Sequence, residues 1–361
     1  MFAVSDAERS ALVHRPTVVT PGNLATLDEV LELVGRGFSD GRLPHHFERT
    51  MRATGVATRW FIRPAFEVFT QGSSPQQWPN TLENLGEIAV KAADGALQAA
   101  DVAAQEIDAL VVTSVSGYAM PGLDVQLIRD LGLRPDVRRL PVAQIGCAGG
   151  LFGLVRAREQ VLAHPGARVL VVASEAFSSV MQPHANKLDA LIYKALGGDG
   201  AAAAVVTDAR HPAAGPAVEL FDPFEYLVPD TTGEYRLTAD PAGYLGFCST
   251  TTAPLAILKA EPALSAWIGD RSVGTVVAHH GGPAILARTA QVLGIDLEEL
   301  RHSSDSLCEL GNVGSVSVLD ILARTLGETA EPGEGTALSI GPGVSIIAAR
   351  LRLHPASPEH A

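Results

Sequence analysis

Apolar and polar positions along the chain fall into two alternating kinds of segment. Short β-branched or alanine-rich runs occur at 108–113 (DALVVT), 139–145 (RLPVAQI), 168–173 (RVLVVA), 201–206 (AAAAVV), 273–278 (VGTVVA) and 344–351 (VSIIAARL). They predict buried strands, because a strand covered on both faces needs no polar alternation. Helical patterns lie between them, at 83–99, 122–132, 149–163, 283–293 and 314–326. Strands alternating with helices predict a layered α/β protein with mostly parallel central sheets. The order repeats loosely. In the first half a strand ends at Gly146-Cys147 and a helix follows. In the second a strand ends at Ala278-His279, Gly281-Gly282-Pro283 opens a helix, and another helix begins near Gly311-Asn312. The stretch 208–216 (DARHPAAGP) is the expected junction, dividing an N-terminal half, 1–210, from a C-terminal half, 211–361. An exposed turn is expected at 328–335 and a frayed tail at 353–361.

Composition narrows the function classes. A chain of 361 residues, 47% hydrophobic and 19% charged, can build a large core. No run approaches the roughly 20 apolar residues that span a bilayer. The opening MFAVSDAERSALVHRP also lacks an apolar signal core, so a soluble cytoplasmic protein with no membrane partner is expected. The formal charge is −13, from 27 basic and 40 acidic residues, and no Lys/Arg-rich run relieves it. Nucleic acid is therefore excluded as a partner, since phosphate neutralisation dominates that affinity. Cys147, Cys248 and Cys308 are few and far apart, which argues against a disulfide framework and a structural metal site. One of them could be a nucleophile.

Cys147, in QIGCAGGLFGL, sits where an apolar strand meets a small-residue turn and a helix. Unpaired N–H groups and the dipole at a helix N-terminus favour a thiolate. A buried core cysteine would read the same way. His279, in TVVAHHGGPAIL, could accept the thiol proton or simply cap a turn; in extended backbone only one of His279 and His280 can face Cys147. Asn312, in CELGNVGSVSVL, could donate its amide N–H to an enolate oxygen or cap a helix.

These segments resemble those of type III polyketide synthases, the chalcone-synthase-like branch of the thiolase-fold enzymes. The resemblance runs from about 45 to 351 and includes VSGYAMPGLDVQLIRDLGLRP, VVASEAF, ALGGDGAAAAVV, AHHGGPAIL, ELGNVGSVSVL and SIGPGVSI, in order. It implies a five-layered αβαβα thiolase-like fold of two similar halves, and a homodimer. It also implies Cys147 as nucleophile, with His279 and Asn312 serving decarboxylation and condensation. An acyl-CoA starter and malonyl-CoA would be the substrates, with no metal or redox cofactor. Met120 takes the position that reaches across the dimer interface, and Gly341, Pro342 and Gly343 match the loop shaping the cavity floor. Arg49 falls on one position of the basic cluster receiving coenzyme A phosphates. Its companions there are His46 and Ala53, which weakens the cluster unless Arg52 compensates.

Some positions depart from the family. Of two phenylalanines usually standing between the coenzyme A tunnel and the cavity, Phe247 matches one, and Gly197 replaces the other. The passage should then be wider and suit a bulky or long starter, unless Tyr193 or another side chain fills the gap. Val115, Val180 and Gly314 stand where small polar residues commonly lie, which predicts an apolar cavity lining. Cys248 lines the cavity or packs beside Phe247, and Cys308 is expected to be structural. Two further readings stay open: a β-ketoacyl carrier-protein synthase III, and a catalytically silent partner subunit.

Overall fold

The computed structural model describes residues 10–72, 77–210, 215–327 and 332–354. The tip of the expected junction (211–214), the start of the expected turn (328–331) and most of the expected tail (355–361) lie outside the described residues. The chain runs β1 (Ala11–His14), β2 (Thr17–Val19), β3 (Asn23–Thr26), α1 (Leu27–Gly35), α2 (His45–Arg52), β4 (Thr58–Phe61), α3 (Ala65–Gln71) and α4 (Trp78–Ala99). It continues through β5 (Ala109–Thr113), α5 (Leu123–Leu131), β6 (Arg138–Val142), α6 (Gly149–Ala163), β7 (Val169–Ala176), α7 (Leu188–Leu196) and β8 (Asp199–Asp208). The remainder is β9 (Ala217–Leu227), β10 (Tyr235–Ala239), β11 (Leu245–Ser249), α8 (Ala253–Ala256), α9 (Glu261–Ile268), β12 (Thr275–Ala278), α10 (Pro283–Leu293), α11 (Arg301–Leu310), α12 (Ser317–Gly327), β13 (Gly333–Gly341) and β14 (Ser345–His354).

Strands β12-β13-β14-β9-β1-β8-β7-β5-β6 hydrogen-bond in that order into one sheet, with β2 beside β8. The expectation of mostly parallel pairing needs correction. Only β5 with β6, β5 with β7, and β12 with β13 pair in parallel. The ladders made by β1, β2, β8, β9 and β14 are antiparallel. The reason is local: the turn between β13 and β14 spans only residues 342–344, and a tight hairpin must pair antiparallel.

Side-chain alternation sorts the layers. On β5, Leu110 and Val112 face a core shared with Leu85, Ile88, Ala89, Ala92 and Ala96 of α4, while Ala109 and Val111 face α6. Both faces are covered, which explains the unbroken apolar run. The α6 side also holds Val318, Leu319, Ile321 and Leu322 of α12 and inward residues of β1, β8, β9 and β14. A third core joins α9 and α10 to the opposite faces of β12, β13 and β14, through Val276, Ala278, Leu338 and Ile346. Outer helices, one part of the sheet, buried α6 and α12, the other part of the sheet, and outer helices thus make the five layers. Outside them, β10 and β11 form a separate two-stranded sheet. Among the described residues no helix is long and apolar enough to cross a membrane.

Candidate active site

Three chain segments bring their ends together between the halves. Strand β6 stops at Val142, short of the predicted 145, because Gln144 and Gly146 take positive φ values of 67° and 59°. A side chain at Gly146 would meet the Pro342 ring, its Cβ lying 2.5 Å from Cδ, so only glycine lets the chain turn here. One turn of 3-10 helix, Gly146–Ala148, then presents Cys147 just ahead of α6. His279 follows β12 directly, its backbone N–H held by the Leu338 carbonyl at 2.8 Å. His280 points elsewhere, its Nε2 3.4 Å from Ser306 Oγ, as the extended-backbone argument requires. Asn312 is pinned from both sides: its N–H bonds to the Leu196 carbonyl (2.7 Å) and its carbonyl accepts from Gly198 N–H (3.1 Å). Gly311 before it has φ 69°, and a Cβ there would strike the Leu196 carbonyl.

These segments close a cavity of about 30 Å³, lined by Cys147, His279 and Asn312 together with Phe247, Gly341 and Pro342. Phe177, Tyr193, Tyr235, Gly281, Ile285 and Ile340 complete it. The Asn312 side-chain oxygen accepts from Gly314 N–H at 2.9 Å and lies 4.0 Å from Cys147 Sγ. That backbone donor fixes the amide orientation and leaves the Asn312 NH2 group for a substrate oxygen. His279 is 1% exposed, and its Nδ1 has no partner among the described residues.

Burial, then the nearby Glu175 carboxyl, push the Cys147 thiol up to about 12, against the hydrogen bond to Asn312. Burial pushes the His279 imidazole down to about 3. Each group alone is therefore neutral at pH 7. Passing the thiol proton to the imidazole makes two opposite charges that offset each other's burial, and the adjacent start of α6 favours the thiolate.

The remaining predicted residues fall into distinct places. Val115 and Val180 pack in a cluster with Phe177, set back from the cavity. Gly314 lies under the same ring, where an added Cβ would come within 2.7 Å of Phe177 Cε2. Gly197 leaves no gap: a Cβ there would sit 2.5 Å from Met181 Cε and 3.3 Å from Phe177 Cβ. Tyr193, one turn earlier on α7, reaches the cavity instead and stacks on Phe247 with ring centres 6.1 Å apart. Gly343, at φ 126°, turns the loop behind Pro342. Met120 is 99% exposed. Arg49 is exposed on α2, and Arg52 is paired with Asp28 and Glu48, so its charge is already engaged. Cys248 lies in an open 450 Å³ cleft on the far side of Phe247. Among the described residues no group of three or more His, Cys, Asp or Glu is placed to hold a metal.

Sequence reasoning did not single out Phe177, Tyr235, Ile285 or Glu175. Glu175 accepts from the hydroxyls of Ser116 (2.5 Å) and Ser315 (2.6 Å), and from the N–H groups of Val115 and Ser116. A carboxylate inside the apolar run VVASEAF was the one available signal.

Residues 65–210 match the family described as chalcone and stilbene synthases, N-terminal domain, and residues 266–354 match the corresponding C-terminal domain. The 1,3,6,8-tetrahydroxynaphthalene synthase of Streptomyces coelicolor is 31% identical over 344 residues, covering 93% of this chain and 90% of that protein. The chain belongs to the type III polyketide synthase family. The tetrahydroxynaphthalene synthase of Streptomyces peucetius is 34% identical over 308 residues, covering 82% of this chain and 80% of that protein. The solved S. coelicolor tetrahydroxynaphthalene synthase superposes with a TM-score of 0.89 at 30% identity, covering 96% of this chain and all of that one. Germicidin synthase from S. coelicolor, a type III polyketide synthase, gives 0.88 at 26% identity, with the same coverage. The fold is the thiolase-like fold of these enzymes, and this type III polyketide synthase is an acyl-transferring condensing enzyme.

Proposed function

We propose that Cys147 holds the starter acyl group as a thioester and that the enzyme extends it with malonyl-CoA by decarboxylative Claisen condensation. The observation that carries this is the convergence of Cys147, His279 and Asn312, from three separate junctions, on one small cavity. The Cys147 thiolate attacks the acyl-CoA carbonyl and the coenzyme A thiol leaves with a proton. Malonyl-CoA then loses carbon dioxide. Its enolate oxygen receives hydrogen bonds from His279 and the Asn312 amide, and the carbanion attacks the thioester carbonyl and expels the Cys147 thiolate, lengthening the chain by two carbons. An oxyanion donor of this kind lowers the barrier by about 3–4 kcal/mol. The product leaves after further rounds, by release or cyclisation, as a secondary metabolite.

An adjoining cavity of about 370 Å³, bounded in part by Thr50, Ala53 and Thr54 at the end of α2, is proposed as the route of the coenzyme A thioesters, with Arg49 of the same helix proposed to meet their phosphates. The 99% exposure of Met120 supports a homodimer in which that side chain meets a second copy. The enzyme is proposed to work in the cytoplasm without a resident cofactor, its two thiolase-like halves being 1–210 and 211–361.

Intact-protein mass spectrometry after incubation with a panel of acyl-CoAs tests this reading. An acyl adduct is expected on the wild type and not on Cys147→Ala, with malonyl-CoA consumed only by the former. No adduct and no malonyl-CoA consumption would favour a silent subunit and sink the proposal.

A further inference from the structure

The nucleophile sits at the end of a two-chamber path. Four residues line both the 370 Å³ outer cavity and the 30 Å³ inner one: Tyr193, Tyr235, Gly281 and Ile285. Gly281 has no side chain, so two phenol rings and one aliphatic chain make the partition. Tyr193 comes from α7 and stacks on Phe247 of β11, their planes 29° apart. Ser249 lines the outer cavity with it. Ser249 is the cross-strand partner of Tyr235, and Phe247 that of Leu237. The rings opposing Tyr193 therefore ride on one β10–β11 ribbon, which stands apart from the main sheet. A two-stranded ribbon is marginally stable by itself and yields more readily than a ten-stranded sheet.

The inner chamber has room for little more than one or two waters. Any acyl group bound to Cys147 must therefore displace part of this partition. α7 is fixed at its C-terminal end, one turn beyond Tyr193, where Leu196 and, just past the helix, Gly198 bond to Asn312. The helix cannot withdraw without moving a catalytic group, so the ring of Tyr193 and the ribbon facing it must give way.

We infer that Tyr193, stacked on Phe247 between the two chambers, is a specificity-determining residue that limits the length of acyl group reaching Cys147. The inference rests on the proposed acyl-cysteine chemistry. Short acyl groups pass by small rotations of the Tyr193 and Tyr235 rings. Longer chains require the ribbon to open. The missing side chain at Gly197 has no such effect, because Met181 and Phe177 already occupy its space.

The test compares rates of Cys147 acylation by acetyl-CoA and decanoyl-CoA, read by intact mass, for wild type, Tyr193→Ala, Tyr193→Leu and Tyr193→Phe. Wild type should favour acetyl-CoA. Tyr193→Ala should lower the acetyl-to-decanoyl rate ratio by about tenfold or more, the size of discrimination a hydrophobic pocket can impose. Tyr193→Leu should fall between, and serves alone if the alanine variant does not fold. Tyr193→Phe keeps the ring and should hold the ratio within about twofold. An unchanged ratio in a folded Tyr193→Ala or Tyr193→Leu overturns the inference while leaving the acyl-cysteine reading intact. Wild type that takes up neither acyl group overturns both.

Discussion

At the scale of single residues, the site depends on one proton. Among the described residues His279 is the only imidazole lining the cavity with Cys147, and burial keeps it uncharged, as the proposed proton acceptor must be. Replacing it with alanine leaves the thiol with burial and Glu175, both of which oppose ionisation. Iodoacetamide labelling of the Cys147 peptide at pH 7 should therefore slow by about tenfold or more in His279→Ala. Cys248 and Cys308 serve as internal standards, and an unchanged Cys147 rate would show that the histidine does not govern the thiol. Asn312→Ala removes an oxyanion donor that cysteine acylation does not need. Malonyl-CoA decarboxylation should fall by about 10²–10³-fold, with starter loading retained. A parallel loss of both would make Asn312 a structural cap. Cys147 and His279 stood out because each follows an apolar run with glycine close by, whereas Asn312, which follows the polar helix α11, was marked only by the Gly311-Asn312 pair. Tyr193 was legible only as a side chain that could fill the space at Gly197, and Tyr235 was hidden as a cavity wall, since an aromatic on a ribbon edge carries no signature of what it faces.

At the scale of elements, Glu175 holds three of them together. Its carboxyl closes the end of β7 against the loop after β5, through Ser116, and against the turn before α12, through Ser315. Burial pushes it up to about 7 from an ordinary 4.5, and the four donors around it pull the other way without prevailing. A folded-state value above the unfolded one means that folding favours the protonated form. That contribution is complete below about pH 4.5 and is lost as pH rises to about 7. Relative to Glu175→Gln, the wild type should lose stability across this window, on the order of 3 kcal/mol in total, and run parallel outside it. Paired thermal melts from pH 4.5 to 8 check this. Asp199, pushed up to about 6 by burial, titrates in both proteins and cancels in the difference. A difference that does not vary with pH would mean that Glu175 is ionised throughout. Strands buried on both faces, such as β5, β7 and β8, stood out in the sequence as apolar runs. Strand β9 and the β10–β11 ribbon did not, because their alternation is interrupted by proline, glycine and charge.

At the scale of the molecule, the halves that the sequence divides near residue 210 are interlocked. Strand β1, from the N-terminal end, pairs with β8 on one side and with β9 on the other, so a single strand joins the two parts of the sheet. Helix α6 of the first half shares its core with α12 of the second. Removing residues after 210 would strip Val318, Leu319, Ile321, Leu322 and Leu326 from that core and expose one edge of β1. Burial of such side chains contributes about 1.5–3 kcal/mol each, so the loss rivals the roughly 5–15 kcal/mol by which a typical domain is stable. An exposed, apolar β1 edge is also an invitation to pair with other chains. Residues 1–210 expressed alone should therefore aggregate or stay partly unfolded, with weak near-ultraviolet circular dichroism and no cooperative melt. The full chain should unfold in a single transition, with Cys147 labelling and loss of sheet signal coinciding. A soluble 1–210 fragment with a cooperative melt would show that the first half builds its own core, and that the site between the halves is assembled by docking rather than by folding.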